Sequence, residues 1–410
     1  MRGDKPPPWE NGKRMGWFRH RRKNKLLVLL LAPLLAVSAG CRPAPWGLWQ
    51  SYSARFIDGQ GRVIDPRVSD HTTSEGEAYA MFFALVDNDQ ATFDRLLNWS
   101  RNNLARGDLR QHLPGWEWGK DKNGQWTVLD TNSAADADVW MACSLLEAGR
   151  LWNQASYRNQ GLAMMDQIAH HEVADLPGFG MMLLPGAEGY VHQRSATLKT
   201  WIINPSYLPL FLFERMAEAD PSGPWQKIAL NIPRLLQLSA VHGYAMDWVE
   251  YVPGDGFYPI NPHPAQDGKT LESAVGSYDA IRVYLWAGLL NANNRRRSDV
   301  LGAVPGMRVW LAEHDVPPEK ISDTGIPMMQ EGPVGYTAAL LPYLRAWSHQ
   351  EKVVMRQMIR LSVQKNSETG LYGNDQAYYD QNLALFASGF LEGRFRFGQH
   401  GELKVDWINA

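Results

Sequence analysis

The stretch Thr72-Thr73-Ser74-Glu75-Gly76-Glu77 sets two acids just ahead of the apolar run Ala78-Tyr79-Ala80-Met81-Phe82-Phe83. Ser74 followed three residues later by Glu77 has the spacing of a capping box, so a helix is expected to start here with Glu77 folded back on the cap. Glu75 then lies in the first turn, free to point out of the helix end towards a reacting group. A helix N-terminus favours the carboxylate anion, so Glu75 works as a proton donor only if its surroundings raise its pKa. Taken alone, it reads as an ordinary first-turn acid.

A second pair stands in Asn132-Ser133-Ala134-Ala135-Asp136-Ala137-Asp138-Val139-Trp140. Acids two apart on a helix point to different faces, so Asp136 and Asp138 cannot do the same job, and one faces a site while the other makes a structural hydrogen bond. Acids on a largely apolar helix are costly to bury, which favours a functional reading. A third segment, Ser273-Ala274-Val275-Gly276-Ser277-Tyr278-Asp279-Ala280-Ile281-Arg282, heads another apolar run. Asp279 and Arg282 are three apart and can pair on one face, which would hold the carboxylate ionised. Without context, that pair reads as a surface salt bridge.

The elements that must carry these acids are helices. From about residue 46 apolar residues recur at helical spacing and long β-branched alternating runs are scarce, so the chain reads as all-α. Eleven helices are expected near 74–87, 90–104, 133–152, 155–171, 205–219, 223–240, 273–291, 296–314, 334–348, 351–365 and 376–392. They come in consecutive pairs with no flexible linker between them, which suggests one domain over 42–410. Such hairpins pack side by side either into a closed ring or into an open solenoid, and periodicity does not choose between the two.

The longer connections, 105–131, 172–203 and 241–272, carry Trp116, Trp118, Trp126, Trp201, Trp248, Tyr251 and Tyr258 among polar residues. Rings on polar loops suit a ligand surface, or they fold back and bury themselves. With 410 residues, 45% of them apolar, the chain can bury a large core. A formal net charge of -2 gives no field suited to nucleic acid.

That total hides an asymmetry. The first 40 residues carry nine Lys and Arg against two acids, which leaves the remainder near -9, better suited to a neutral substrate than to an anionic one. A basic region through Lys25, an apolar stretch Leu26 to Val37 and the small residues before Cys41 read as an export signal over 1–41, too short to span a bilayer comfortably. Cys41 after Ala-Gly resembles a lipoprotein processing site, so lipid attachment there is left open. A periplasmic or secreted protein is expected. Cys143 alone remains for the mature chain, so no intramolecular disulfide is implied. There is no His-Glu-x-x-His, no cysteine cluster, no phosphate loop and no Gly-x-Ser-x-Gly elbow, and neither metal nor cofactor is expected.

Residues 134–152, Ala-Ala-Asp-Ala-Asp-Val-Trp-Met-Ala-Cys-Ser-Leu-Leu-Glu-Ala-Gly-Arg-Leu-Trp, resemble the signature of glycoside hydrolase family 8, and within it the periplasmic cellulases encoded with bacterial cellulose synthase. Gly61-Arg62-Val63-Ile64-Asp65-Pro66, Thr72-Thr73-Ser74-Glu75-Gly76, Asn204-Pro205-Ser206-Tyr207-Leu208-Pro209, Ser277-Tyr278-Asp279-Ala280-Ile281-Arg282 and Arg394-Phe395-Arg396-Phe397 support the resemblance in order along the chain. It implies an (α/α)6 barrel and an endo-β-1,4-glucanase that inverts the anomeric carbon, with Glu75 as general acid, Asp279 as general base and Asp136 near the reacting sugar. Ala135 departs from the family's usual Ser or Thr, which places a hydrogen bond near Asp136 in question.

On that reading Asp136 raises the pKa of Glu75 by like-charge repulsion while Arg282 keeps Asp279 ionised. Trp118, Trp201, Trp248, Tyr207 and Tyr278 are expected to stack on or orient a β-1,4-glucan chain, with Asp138 and Arg282 beside them. Two rivals stay open: the same scaffold acting on chitosan or xylan, and a glucan-binding periplasmic protein of little activity. A monomer is expected, and a cellulose synthase complex is a partner left open.

Overall fold

The computed structural model describes residues 45–262, 273–328 and 330–408. The expected export signal and Cys41 lie outside the described residues. Thirteen α-helices are present among them: α1 Gly47–Phe56, α2 Ser74–Val86, α3 Gln90–Asn103, α4 Ala135–Leu151, α5 Ala155–His171, α6 Leu210–Ala219, α7 Trp225–Ser239, α8 Ala280–Leu289, α9 Arg297–Ala303, α10 Gly306–Glu313, α11 Val334–Arg345, α12 Glu351–Val363 and α13 Tyr378–Glu392.

Their composition sorts them into two layers. In α2, α4, α6, α8, α11 and α13 apolar residues occur on every face, and the helices are buried on every face; all ten residues of α8 are buried. In α3, α5, α7 and α12 only one stripe is buried, and in α12 that stripe shrinks to Gln357 and Leu361. A helix apolar all round has to be enclosed by others, whereas an amphipathic one covers them. The six enclosed helices form the inner ring of an (α/α)6 barrel and the amphipathic ones its outer layer.

Ring closure, on which periodicity is silent, is visible in the core aromatics. Phe82 of α2 meets Trp140 of α4 (ring centroids 5.0 Å apart), Trp140 meets Phe211 of α6 (5.9 Å), and Phe211 meets Trp286 of α8 (6.2 Å). Trp286 then meets Phe386 of α13 (5.1 Å), which returns to Phe83 of α2 at 4.7 Å. The sixth inner helix, α11, joins through Tyr343 against Tyr284 of α8. Mostly edge-to-face contacts of this kind bury large apolar area and suit the ring quadrupoles.

Several expected boundaries move. Helix α1 is additional to the eleven expected; its Trp49, Tyr52 and Phe56, and Trp46 just ahead of it, are buried in the core. The expected 205–219 helix is a 3-10 turn, Pro205–Tyr207, followed by α6 after Pro209. The expected 296–314 helix breaks at Val304 and resumes after Pro305, because proline removes a helical N–H and disfavours the helical conformation before it. The 273–291 stretch becomes helical only at Ala280, and Val275–Gly276 instead pairs with Ile321–Ser322.

The long connections are not irregular. Val191–Gln193, Lys199–Ile203, Val249–Val252 and Gly256–Pro259 form a four-stranded antiparallel sheet. The hairpin Glu117–Lys120 with Trp126–Asp130 pairs onto Thr72–Thr73, with Thr72 opposite Trp118. This hairpin therefore anchors the residue just ahead of α2.

Candidate active site

Three inner helices bring their N-terminal ends to one place, and each delivers one acid: Glu75 in the first turn of α2, Asp136 in the first turn of α4, and Asp279 just before α8. The partial positive charge of a helix N-terminus offsets part of the cost of grouping acids there.

The start of α2 differs from the expected capping box. Thr73 is the cap, its side chain accepting from the Gly76 N–H at 3.2 Å. Glu77 does not fold back on that cap. Its Oε1 accepts from the Val63 N–H at 2.7 Å and its Oε2 from the Ser100 hydroxyl at 3.4 Å, so it ties α2 to the 57–63 turn and to α3. Burial pushes the Glu77 pKa well up. Gly76 is small for a local reason: a Cβ there would stand 1.9 Å from the Tyr378 hydroxyl oxygen of α13. Glu75 is left as the free acid of the turn, as its spacing suggests.

Arg282, 3% exposed, joins all three acids. Its Nη1 donates to Glu75 Oε2 at 2.6 Å and its Nη2 to Asp279 Oδ1 at 2.8 Å, while Asp136 Oδ2 stands 3.5 Å from Nη2. Nη2 also donates to the Ser206 hydroxyl at 2.9 Å, and that hydroxyl donates on to Asn204 Oδ1 at 2.7 Å. Because the guanidinium is a small planar fork, the nearest oxygens of Glu75 and Asp279 lie within about 8 Å of each other. The expected Arg282–Asp279 pair is present, and Arg282 bonds Glu75 as well, at least as closely.

The pKa of Asp136 is pushed well up. Burial is the main cause and the Glu75 charge the next; Arg282 and the Ala137 N–H oppose them. Burial beside Glu75 therefore favours the protonated form of Asp136.

Asp138 does not face the cleft. It is 0% exposed and paired with the buried Glu172, both pKa values raised by burial and that of Glu172 to about 7. The Ser133 hydroxyl donates to Glu172 and accepts from the Ala187 N–H. Asp138 is thus corrected from a substrate contact to a structural acid, the other half of the division that its spacing from Asp136 requires. Ala135 is buried, and its N–H bonds the Pro185 carbonyl at 2.9 Å.

The rings divide similarly. Trp248 lies parallel to Tyr190 (6.2 Å, 7° between planes) and at 6.0 Å from Tyr207, and Tyr207 in turn stands under the Arg282 guanidinium. Tyr278 is 45% exposed, donates to Glu319 at 2.9 Å, and its carbonyl accepts from the Tyr379 hydroxyl at 2.6 Å. Trp118, half-buried against Trp99, belongs to the hairpin paired with Thr72. Trp201 is a correction: at 7% exposed and packed on Tyr251 it fills the space under the four-stranded sheet.

Sequence reasoning misses Tyr190, Tyr379 and Asp247. Tyr379 accepts from Arg282 Nη1 at 3.4 Å. Asp247 accepts three hydrogen bonds at the head of α8. Its neighbour Trp248 stands out as a ring on a loop, but a lone Asp in a loop gives no sign of the helix end it will meet. No group of three or more His, Cys, Asp or Glu able to hold a metal occurs among the described residues.

Residues 20–393 match the family model described as Glycosyl hydrolases family 8. The chain is 42% identical over 386 residues to an endoglucanase of Xanthomonas axonopodis pv. citri (strain 306), covering 93% of this chain and 94% of that protein. It is 39% identical over 386 residues to an endoglucanase of Escherichia coli (strain K12), covering 94% and 97%. The crystal structure of an endo-1,4-D-glucanase from Vibrio fischeri ES114 superposes with a TM-score of 0.78 at 36% identity, covering 89% of this chain and all of that one. With a matching family model over most of its length and three acids gathered at the barrel mouth, the chain belongs to glycosyl hydrolase family 8.

Proposed function

We propose that this protein is an endo-β-1,4-glucanase that hydrolyses cellulose or a cellulose-like glucan with inversion at the anomeric carbon. One observation carries the reading: acids from three distant segments meet on one buried guanidinium at the barrel mouth, beside the Tyr190, Trp248 and Tyr207 rings. Family membership and the endoglucanase names of the relatives support it.

Inverting hydrolysis needs an acid on the leaving oxygen and a base holding water on the opposite face, with about 6.5–9.5 Å between the carboxyl groups. Glu75 takes the first role and Asp279 the second. Arg282 holds Glu75 within the cluster, and burial next to Glu75 favours the protonated form of Asp136, which supports proton sharing between the two carboxyls. Arg282 keeps Asp279 oriented from the other end of its fork. The neutral pyranose faces of a glucan match the rings of Tyr190 and Trp248, whose planes are nearly parallel.

Cleavage of cellopentaose followed by proton NMR tests this. The α-anomer should be the first new reducing end; initial release of the β-anomer would refute inversion. Carboxymethylcellulose, xylan and chitosan assayed side by side should give fastest release from the first, whereas binding of cellopentaose without cleavage would make the protein a glucan-binding component instead.

The resemblance to cellulases encoded with cellulose synthase supports a place beside cellulose synthesis outside the cytoplasm. The basic and apolar segments of residues 1–41 support export.

A further inference from the structure

The Ile281 N–H bonds the Ser277 carbonyl at 3.0 Å, so helical hydrogen bonding at the head of α8 begins at Ser277. A serine there ordinarily turns its hydroxyl onto the N–H three residues ahead. Ser277 does not. That N–H, of Ala280, is taken at 2.7 Å by Oδ1 of Asp247, which also accepts from the Ser277 N–H at 2.7 Å. The Ser277 hydroxyl donates to Asp247 Oδ2 at 2.5 Å. The helix is capped by an acid from another segment.

The segment bearing Asp247 is fastened on several sides. The Asp247 N–H bonds the Val275 carbonyl at 2.9 Å, and the Ala245 N–H bonds the Tyr284 hydroxyl at 3.0 Å. A Cβ at Gly276 would stand 2.1 Å from the Ala245 carbonyl oxygen, so this close approach requires glycine. Asp247 is 8% exposed and makes no ion pair with Lys or Arg among the described residues. Asp247 interacts electrostatically with the Asp279 carboxylate and with the Tyr284 and Tyr336 hydroxyls.

Asp279 stands two residues beyond Ser277, where a carboxylate can itself satisfy a first-turn N–H. With the Ser277 and Ala280 N–H groups already filled, Asp279 makes no capping bond; its side chain, 26% exposed, turns to Arg282. We propose that Asp247 is a positioning residue for hydrolysis: by capping α8 in place of Ser277 it leaves the Asp279 carboxylate free to hold the attacking water. This rests on Asp279 being the general base. Burial and the Asp279 charge push the Asp247 pKa up to about 6, which places the two acids in electrostatic contact as well.

The full-length protein carrying Asp247→Ala, Asp247→Asn or Asp279→Asn, assayed on cellopentaose across pH, tests the proposal. Asp247→Ala should lower kcat about 100-fold with KM changed less than about threefold, since a displaced base costs turnover more than binding. Asp247→Asn retains an oxygen for both N–H groups but loses the charge and turns the acceptor of the Ser277 hydroxyl into a donor, to which that hydroxyl can rotate. This variant should restore kcat to within about tenfold of the parent and move the acidic limb of kcat/KM to lower pH. Parental kcat in Asp247→Ala alongside an inactive Asp279→Asn would overturn the positioning role and leave the base assignment standing. If Asp247→Ala does not fold, an unshifted acidic limb in Asp247→Asn overturns it equally. An active Asp279→Asn removes the base assignment, and the proposal with it.

Discussion

Arg282 and Glu75 are separated by 207 positions in the chain, and their side chains meet at 2.6 Å at the mouth of the barrel. The other arm of the same guanidinium holds Asp279, three residues earlier and just ahead of α8. The arginine is therefore the part on which the acid and base segments are set in mutual register, and its planar fork is what lets it serve both at once.

Arg282→Lys keeps a positive charge but replaces the fork by a point, so it can satisfy Glu75 or Asp279 but not both. We expect kcat to fall by roughly 100-fold or more, as for loss of a preorganised contact, with a circular dichroism spectrum like that of the parent. Weaker pairing favours the protonated form of any carboxyl that loses its cation, so the acidic limb of the rate profile should move to higher pH. Unchanged kcat and limb would show that the fork is dispensable.

Glu75→Gln should retain the fold, because Glu75 anchors neither the cap of α2 nor its packing, which fall to Thr73 and Glu77. Loss of the proton donor should lower kcat by roughly 100- to 10,000-fold. Glu77→Gln makes the contrast: its loss should appear first as a lower Tm, with kcat changed far less. Reversal of these two outcomes would exchange the roles.

Glu172 links stability to pH. Burial raises its pKa from 4.5 to about 7, against the opposing hydrogen bonds from Ser133 and Asp138. A native state that binds a proton more tightly than the unfolded chain is stabilised fully below about pH 4.5, and that contribution is lost as pH rises through about 7. Tm should therefore decline across this window, with Asp247 and Asp380, both raised to about 6, adding to the slope. Glu172→Gln is uncharged throughout and should flatten part of the decline; an identical slope in variant and parent would count against Glu172.

Trp248 and Trp201 lie on the same sheet region yet should respond in opposite ways. Trp248→Ala should weaken cellohexaose binding about tenfold, equivalent to about 1.4 kcal/mol, with Tm nearly unchanged. Trp201→Ala should cost about 3–5 kcal/mol of stability, as for a large buried ring, with kcat of the folded fraction preserved. Calorimetric titration with cellohexaose and thermal unfolding distinguish the two, and a binding loss confined to Trp201→Ala would invert the assignment.

Much of this protein is local and therefore legible in the residues. The 3.6-residue spacing of apolar side chains locates most of the helices, and first-turn acids mark Glu75 and Asp136, because helix periodicity and end preferences are properties of neighbouring residues. The opposite faces of Asp136 and Asp138 also follow from spacing alone. What the tertiary structure decided was every relationship between segments: that the aromatic rings close α2 through α13 into a barrel, that Trp201 is buried while Trp248 stacks on Tyr190, that Arg282 reaches Glu75 as well as Asp279, and that Asp247 rather than Ser277 caps α8. A side chain's hydrogen-bond partner is whichever group the fold carries to it, and over two hundred residues of chain no local preference encodes that.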